Sequence, residues 1–414
     1  MVEDMADIQP RLIYLVDDDP DLRVLLGAAL RSDGHTVELF DAAGDLIKAM
    51  QKRPPELVIT DLMMPGVDGM ALLQRIRSNG VFDPVRVIMV SAKSWESDRE
   101  AALQAGADAY LTKPFDLATL RRTVDLVVRN AATLEYWGVR GTLPVPGPET
   151  TRYGGNTSCV SLELADGRVL IFDAGSGIRN LGNKLAARKP PLTAALLLSH
   201  PHWDHLNSVP FFAPLYVPGN NITICGAPQR SQTLRQLIEA QMDGVFFPIT
   251  PGRFGSSITY MDIREEVVEL FGVTVRTMHL SHPGTCLGFR VEWGDRSYCY
   301  VTDNELFMAD DARADPHYWD QLTEFVSGTD ILTTDTTYFD DEYPRFVSWG
   351  HSCVSQVARL AAGANVKQLH LFHHDPSHDD DAVDRKLKEM RKALVDLGSD
   401  TVAVAPAERD SFEI

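Results

Sequence analysis

The chain has no cysteine pattern to build on. Its five cysteines, Cys159, Cys225, Cys286, Cys299 and Cys353, are odd in number and nowhere spaced as CxxC. That excludes a framework pairing every cysteine, argues against a thiolate zinc site and fits reduced thiols in the cytoplasm. Long apolar runs are missing as well. None approaches the ~18–20 residues that cross a bilayer, and the acidic opening "MVEDMADIQPR" lacks the apolar stretch of a secretory leader. A cytoplasmic protein with no membrane partner is expected. Positive charge is scarce: 39 Lys and Arg against 58 Asp and Glu leave a formal −19. The broad basic face that grips a phosphate backbone is therefore not expected, and large RNA or DNA is disfavoured as a partner. What remains is an ordinary globular composition, 44% hydrophobic and 23% charged over 414 residues. At roughly 100–200 residues per domain, it has room for two to four.

From residue 9 to 131, short apolar runs alternate with amphipathic segments. "RLIYLV", "TVELF", "ELVIT", "VRVIMV" and "DAYLT" read as strands, and the stretches between them, ending in "LATLRRTVDLVVRNAA", carry helical spacing. Five βα units in series predict a doubly wound parallel sheet, an α/β fold whose site lies at the carboxyl ends of its strands. Asp17, Asp18, Asp61, Ser91 and Lys113 stand there. Three carboxylates at one edge repel unless a cation lies among them. Hard oxygen ligands suit Mg²⁺, which also neutralises an incoming phosphoryl group. The set resembles the receiver domain of bacterial response regulators over nearly its whole length. The resemblance implies Asp61, in "TDLMMPGVDG", as phospho-acceptor, with Asp17, Asp18, Asp61 and the main-chain carbonyl of Met63 as Mg²⁺ ligands. Ser91 and Lys113, the latter in "LTKPF", would contact the phosphate, and Tyr110 would be the switch aromatic. A sensor histidine kinase or another phosphodonor is the implied partner.

No Gly/Ser linker follows this region. The final helix is expected to run to about residue 133 and feed directly into "WGVRGTLPVPGPETTRYGGNTSC", a helix-continued junction that suggests mechanical coupling. No helix-turn-helix pattern or basic segment follows residue 131, so a transcription-factor output is not expected. A homodimer through either domain is an alternative route for the signal.

Strand-like runs return between residues 135 and 410, among them "RVLIFDAG", "AALLLSH", "VTVRTMHL", "RSYCYVTD", "DILTTDTTY" and "QLHLFHHD". Helical segments separate some of them, which predicts two sheets covered by helices, or α+β. The chemistry concentrates in "HPHWDH". His200 and His202 are one residue apart, so an extended start puts both on one side, while Asp204 and His205 follow on a turn. One loop could then feed two adjacent metals. Later strand ends offer His282 with His279 as competitor, Asp303, and His373 with His374 as competitor. A carboxylate can bridge two cations, which suits Asp303. The nitrogen and oxygen character of the set favours Zn²⁺, with Mn²⁺ or Fe as alternatives, since no thiolate takes part.

This second pattern resembles the metallo-β-lactamase-fold hydrolases across residues 135–410. The resemblance implies a four-layer αββα sandwich with a dinuclear centre at one edge. His200, His202 and His282 would hold one metal, Asp204, His205 and His373 the other, and Asp303 would bridge them. Asp173, in "IFDAGSG", would orient a ligand. The segment "TTDTTYFDDEYPRFVSWGHSC" is similar to the ribonuclease Z-like and phosphodiesterase branch. That likeness implies a paired Asp335 and His351, a proton donor or phosphorane-stabilising group. The tRNA-processing members of that branch carry a long substrate arm, but here His282 and Asp303 are only 21 positions apart. The expectation is a phosphorylation-regulated phosphodiesterase for small phosphodiesters, such as cyclic nucleotides or short oligonucleotides. It would use a dinuclear metal-activated hydroxide, with Asp204, Asp335 and His351 as catalytic residues. Lactone or thioester hydrolysis on the same site, and a non-catalytic phospho-gated binding module, are the competing readings.

Overall fold

The computed structural model describes residues 10–92, 96–188, 190–245 and 247–414; Gln9, where the first domain was expected to begin, lies outside them. Two compact units divide between Ala131 and Ala132. In the first, β1 (Leu12–Val16), β2 (Thr36–Phe40), β3 (Leu57–Asp61), β4 (Arg86–Ser91) and β5 (Ala109–Thr112) form a sheet in the order β2-β1-β3-β4-β5. Every neighbouring pair is parallel. β1, β3 and β4 are buried along nearly their whole length, with apolar centres Leu12–Val16, Leu57–Ile59 and Val87–Val90, because both faces of such a sheet are covered. Tyr14, Val16, Val58 and Val87 enter one core, and Ile13, Leu15, Ile59 and Ile88 enter the other.

The helix Leu117–Arg129 ends earlier than the sequence suggests. Asn130 caps it with a left-handed φ of 52°, a conformation that closes helices and that asparagine tolerates. Thr133 already opens a strand, so the junction is not a continued helix. "TLEYWG" pairs with a strand on each side, and its tertiary ladder outweighs the local helical spacing.

The strands of the second unit are β6 (Thr133–Gly138), β7 (Cys159–Glu163), β8 (Val169–Phe172), β9 (Thr193–Leu198), β10 (Asn221–Gly226), β11 (Ser257–Asp262), β12 (Val267–Leu270), β13 (Val273–His279), β14 (Leu287–Trp293), β15 (Arg296–Val301), β16 (Ile331–Asp335), β17 (Gln368–Phe372), β18 (Val402–Val404) and β19 (Ser411–Glu413). They form two seven-stranded sheets, β11-β10-β9-β8-β7-β6-β19 and β12-β13-β14-β15-β16-β17-β18. The runs β8 to β11 and β15 to β18 are parallel and the remaining pairs antiparallel. Alternation along β9 shows the layering. Ala195 and Leu197 enter the core between the sheets, while Ala194, Leu196 and Leu198 pack with Ile178, Leu181 and Leu185 of an outer helix. Beside the second sheet, Val357 and Ala361 of the helix Val354–Gly363 join Val383 and Met390 of the helix Asp380–Asp396. The result is the αββα sandwich. Phe172 lies at its centre, 5.2 to 6.1 Å from the rings of Tyr298, Tyr300 and Phe289. Among the described residues, no helix is long and apolar enough to cross a membrane.

Candidate metal centres

In the first unit, parallel pairing aligns the ends of β1 and β3 and brings Asp17, Asp18 and Asp61 together, with one oxygen of each within 4.8 Å of the others. Asp17 and Asp61 are buried and Asp18 is exposed. Lys113 Nζ lies 3.0 Å from Asp17 Oδ2 and 3.0 Å from Asp61 Oδ2. Burial raises the Asp17 pKa, opposed by the Asp19 amide and by Lys113. The same carboxylates overcome burial and raise that of Lys113. The Met63 amide donates to Asp61 Oδ1 at 3.3 Å, folding the turn back onto the acid, while its side chain is exposed. Ser91 and Tyr110 are buried and hydrogen-bonded to each other, and burial raises the tyrosine pKa.

In the second unit the sites assemble at strand ends: the parallel β9, β15, β16 and β17, and the antiparallel β13 that leads to His282. His200 Nε2 and His202 Nδ1 are 2.8 Å apart, and His282 Nε2 is 3.1 Å from the latter. Asp303 Oδ2 faces this trio, 3.5 Å from His200 Nε2 and 3.7 Å from His282 Nε2. Its other oxygen, Oδ1, is 3.1 Å from both His205 Nε2 and His373 Nε2. Asp204 Oδ2 is also 3.1 Å from each of those two nitrogens. One carboxylate thus divides its oxygens between two adjacent ligand groups. His279 is exposed at the end of β13 and His374 is buried with neither ring nitrogen bonded; both stand outside these groups, which take His282 and His373 instead.

The residues fit a pair of divalent cations. Burial pushes His200, His202 and His282 below the usual histidine range, leaving neutral rings with lone pairs. Asp204 and Asp303 stay ionised: burial opposes this, but the surrounding imidazoles outweigh it. His205 Nε2 is buried without a hydrogen bond, although two carboxylate oxygens lie 3.1 Å away. Those atoms converge on a common point without aligning to bond one another, as ligands about 2.0–2.2 Å from Zn²⁺ do.

Buried partners hold the ligands. Asp173 accepts from Ser199 N at 2.7 Å, Ser199 Oγ at 2.8 Å, Tyr300 Oη at 2.9 Å and His205 Nδ1 at 2.7 Å. The last bond makes Nδ1 the donor, so Nε2, which faces Asp204 and Asp303, is the nitrogen a cation would take. Without one, burial opposes protonation, but those carboxylates and Asp173 outweigh it and raise the His205 pKa. Asp173, Asp303 and His373 all have left-handed φ, at 61°, 44° and 58°, conformations of the kind that concentrate at functional sites. Gly141 allows His373 to approach, since a Cβ there would meet its Cε1 at 2.2 Å. Gly350, at φ +88°, accepts from His282 Nδ1 at 3.0 Å and would likewise place a Cβ 2.2 Å from that nitrogen.

Beside the ligands, His351 Nδ1 donates to the buried Asp335 Oδ2 at 2.6 Å. Asp335 Oδ1 accepts from the Thr337 amide at 3.0 Å and its hydroxyl at 2.7 Å. The His351 ring stacks 4.8 Å from that of His373 and lies 5.4 Å from that of His282. Burial opposes protonation of His351, but Asp335 raises its pKa to about 9. Ser199, Tyr300, Thr337, Gly141 and Gly350 were not singled out from the sequence. Of these, Ser199, directly before His200 in "SHPH", and Gly350, directly before His351 in "WGHS", stand beside recognised motif residues.

Residues 13–125 match the family model of the response regulator receiver domain, and residues 168–374, half of the chain, match that of the beta-lactamase superfamily domain. The transcriptional regulatory protein TrcR of Mycobacterium tuberculosis is 35% identical over 130 residues, covering 31% of this chain and 50% of that protein. The chain spans about half the length of the curated relatives it matches. The metallo-beta-lactamase fold protein YhfI from Bacillus subtilis has a TM-score of 0.49 at 19% identity, covering 69% of this chain and 100% of that structure. A diphosphatase from the PhnP family has a TM-score of 0.49 at 15% identity, covering 68% and 98%. The chain belongs to the beta-lactamase superfamily and carries a response regulator receiver domain ahead of its beta-lactamase-fold domain.

Proposed function

We propose that the chain is a phosphorylation-regulated, metal-dependent phosphodiesterase for small phosphodiesters such as cyclic nucleotides or short oligonucleotides. The observation that carries the reading is the buried Asp335–His351 pair, in which the carboxylate keeps the imidazole protonated at neutral pH and the ring lies beside both ligand groups. A phosphodiester, like a lactone, expels an alkoxide, which needs a proton; a thioester expels a thiolate, which does not.

His200, His202 and His282 would hold one cation, Asp204, His205 and His373 the other, with Asp303 shared. When bound, such a pair supplies Lewis acidity and brings the pKa of a water toward neutrality. The chain's own residues do the rest. Asp335 fixes His351 Nδ1 as a donor, so Nε2 carries the transferable proton. As the water oxygen, its proton lost to solvent, bonds to phosphorus and the P–O bond to the leaving group breaks, the His351 Nε2 proton passes to the departing oxygen. His351 then regains a proton from solvent, and Asp335 stays ionised throughout. The net charge of −19 and the short interval between His282 and Asp303 support a small substrate. In the receiver, Asp17, Asp18 and Asp61 would hold Mg²⁺, Asp61 would accept a phosphoryl group from a kinase or other phosphodonor, and Lys113 would meet its oxygens.

The test is hydrolysis of bis-p-nitrophenyl phosphate by the metallated protein and by Asp204→Ala, with metal content determined. Turnover lost together with one metal is expected, as is a change in turnover or oligomeric state with beryllium fluoride. A fully metallated parent that cleaves lactones or thioesters, but no phosphodiester with or without beryllium fluoride, overturns the reading.

A further inference from the structure

We infer that Glu305 is a positioning residue that clamps the Gly350 peptide and thereby sets His351 for proton delivery. The inference rests on the proposed role of His351 and extends it to a residue in neither ligand group. Glu305 is only 2% exposed. Its Oε1 accepts from Tyr343 Oη at 2.8 Å and the Ser348 amide at 2.7 Å, and its Oε2 accepts from the Gly350 amide at 2.8 Å. Burying a carboxylate is costly unless its oxygens are bonded. All three donors belong to residues 343–350, the stretch that ends at His351.

Neighbouring atoms tighten the same connection. The Glu305 amide donates to Ser281 O at 2.8 Å, just before His282. Ser352 Oγ donates to Asn304 O at 2.5 Å and accepts from the Leu306 amide at 3.0 Å. Residues 304–306 therefore hold both neighbours of His351, Gly350 and Ser352. Gly350 is held at both ends: its N–H by Glu305 and its carbonyl by His282 Nδ1. These are two different peptides: Glu305 holds Trp349–Gly350 and His282 Nδ1 holds Gly350–His351. Loss of the Glu305 bond therefore loosens the chain leading into His351 while His282 keeps its own carbonyl partner.

The pattern of acceptors makes the carboxylate specific. In Glu305→Gln the amide oxygen can replace Oε1 and keep Tyr343 and Ser348, but the NH₂ then faces the Gly350 N–H, donor against donor. The substitution preserves volume and releases one peptide.

Full-length metallated protein is assayed on two phosphodiesters, bis-p-nitrophenyl phosphate, whose leaving group needs little proton assistance, and a 2′,3′-cyclic nucleotide, which expels an alkoxide. His351→Ala is expected to lose ~10²–10⁴-fold in kcat on the cyclic nucleotide, the scale of general acid catalysis, and far less on the aryl ester. Glu305→Gln is expected to repeat that split at smaller scale. Its kcat should fall at least ~10-fold on the cyclic nucleotide and change less than ~3-fold on the aryl ester, with KM and metal content unchanged. Tyr343→Phe, which leaves the Gly350 bond intact, should show no split. If Glu305→Gln does not fold, Glu305→Asp carries the same test, because its shorter side chain cannot span Ser348 and Gly350. Equal losses on both substrates, or no loss, overturn the inference. A His351→Ala variant without the split overturns the proton-donor reading itself; a split there but not in Glu305→Gln overturns the positioning role alone.

Discussion

Replacing Asp173 with asparagine should cost metal affinity rather than the fold, because of where its four donors stand. The Ser199 amide reaches Oδ1 at 2.7 Å, while the Ser199 hydroxyl, the Tyr300 hydroxyl and His205 Nδ1 converge on Oδ2. A backbone N–H cannot become an acceptor, so the amide oxygen of the variant is held on the Oδ1 side and its NH₂ occupies the Oδ2 side. The two hydroxyls can rotate to accept. His205 can accept only by moving its proton from Nδ1 to Nε2, and Nε2 is the atom 3.1 Å from Asp204 and Asp303. A ring protonated there has no lone pair for a cation. Changes to such orienting partners cost ~10–100-fold in metal affinity, about 1.4–2.7 kcal/mol. Competition with a chromophoric chelator, followed site by site, should show one Zn²⁺ weakened by that factor and the other nearly unchanged. Equal affinity at both sites in parent and variant would refute the tautomer argument. Asp173→Ala is the contrasting case: it leaves buried donors unpartnered at about 1–3 kcal/mol each and should lower stability with or without metal.

Phe172→Ala removes a fully buried ring from between the two sheets and should destabilise by about 3–5 kcal/mol in urea unfolding; a loss under about 1 kcal/mol would contradict the packing described. Lys386 is buried, with Nζ 2.7 Å from the carbonyls of Thr336 and Thr337, and burial lowers its pKa to about 7. Between that value and the ordinary lysine range the unfolded chain binds the extra proton. Stability from this group therefore rises with pH, by at most about 1.4 kcal/mol per unit. The stability of the parent relative to Lys386→Met should grow between pH 7 and 9.5, and a flat difference would show that the buried amine does not titrate there. Asp61→Asn should abolish labelling by a small phosphodonor such as acetyl phosphate, as should removal of Mg²⁺, each read by intact-protein mass; persistent labelling would place the phosphoryl group elsewhere.

Much of both candidate sites was legible because local spacing sets their geometry. In "HPHWDH" the one-residue interval separates His200 and His202 from Asp204 and His205, and the structure places the pairs in different ligand groups. In the first unit, parallel strands align their carboxyl ends, so acids directly following β1 and at the end of β3 had to meet. The end of the receiver helix was not legible. The spacing of apolar residues continues beyond Arg129, but Asn130 turns the chain and β6 takes residues 133–138 into its ladder.

The sequence by itself determined the residue types and the strand ends at which they cluster, since both stem from composition and period. Only the tertiary structure decided between His279 and His282 and between His373 and His374. Members of each pair have identical chemistry, and side-chain direction at a strand exit depends on backbone angles such as the left-handed φ of His373. The same holds for Glu305 and for the partners of Asp173, whose orienting role the sequence resemblance implies. Each carboxylate gathers its partners from distant segments, and hydrogen bonds of that range leave no periodic trace in a chain.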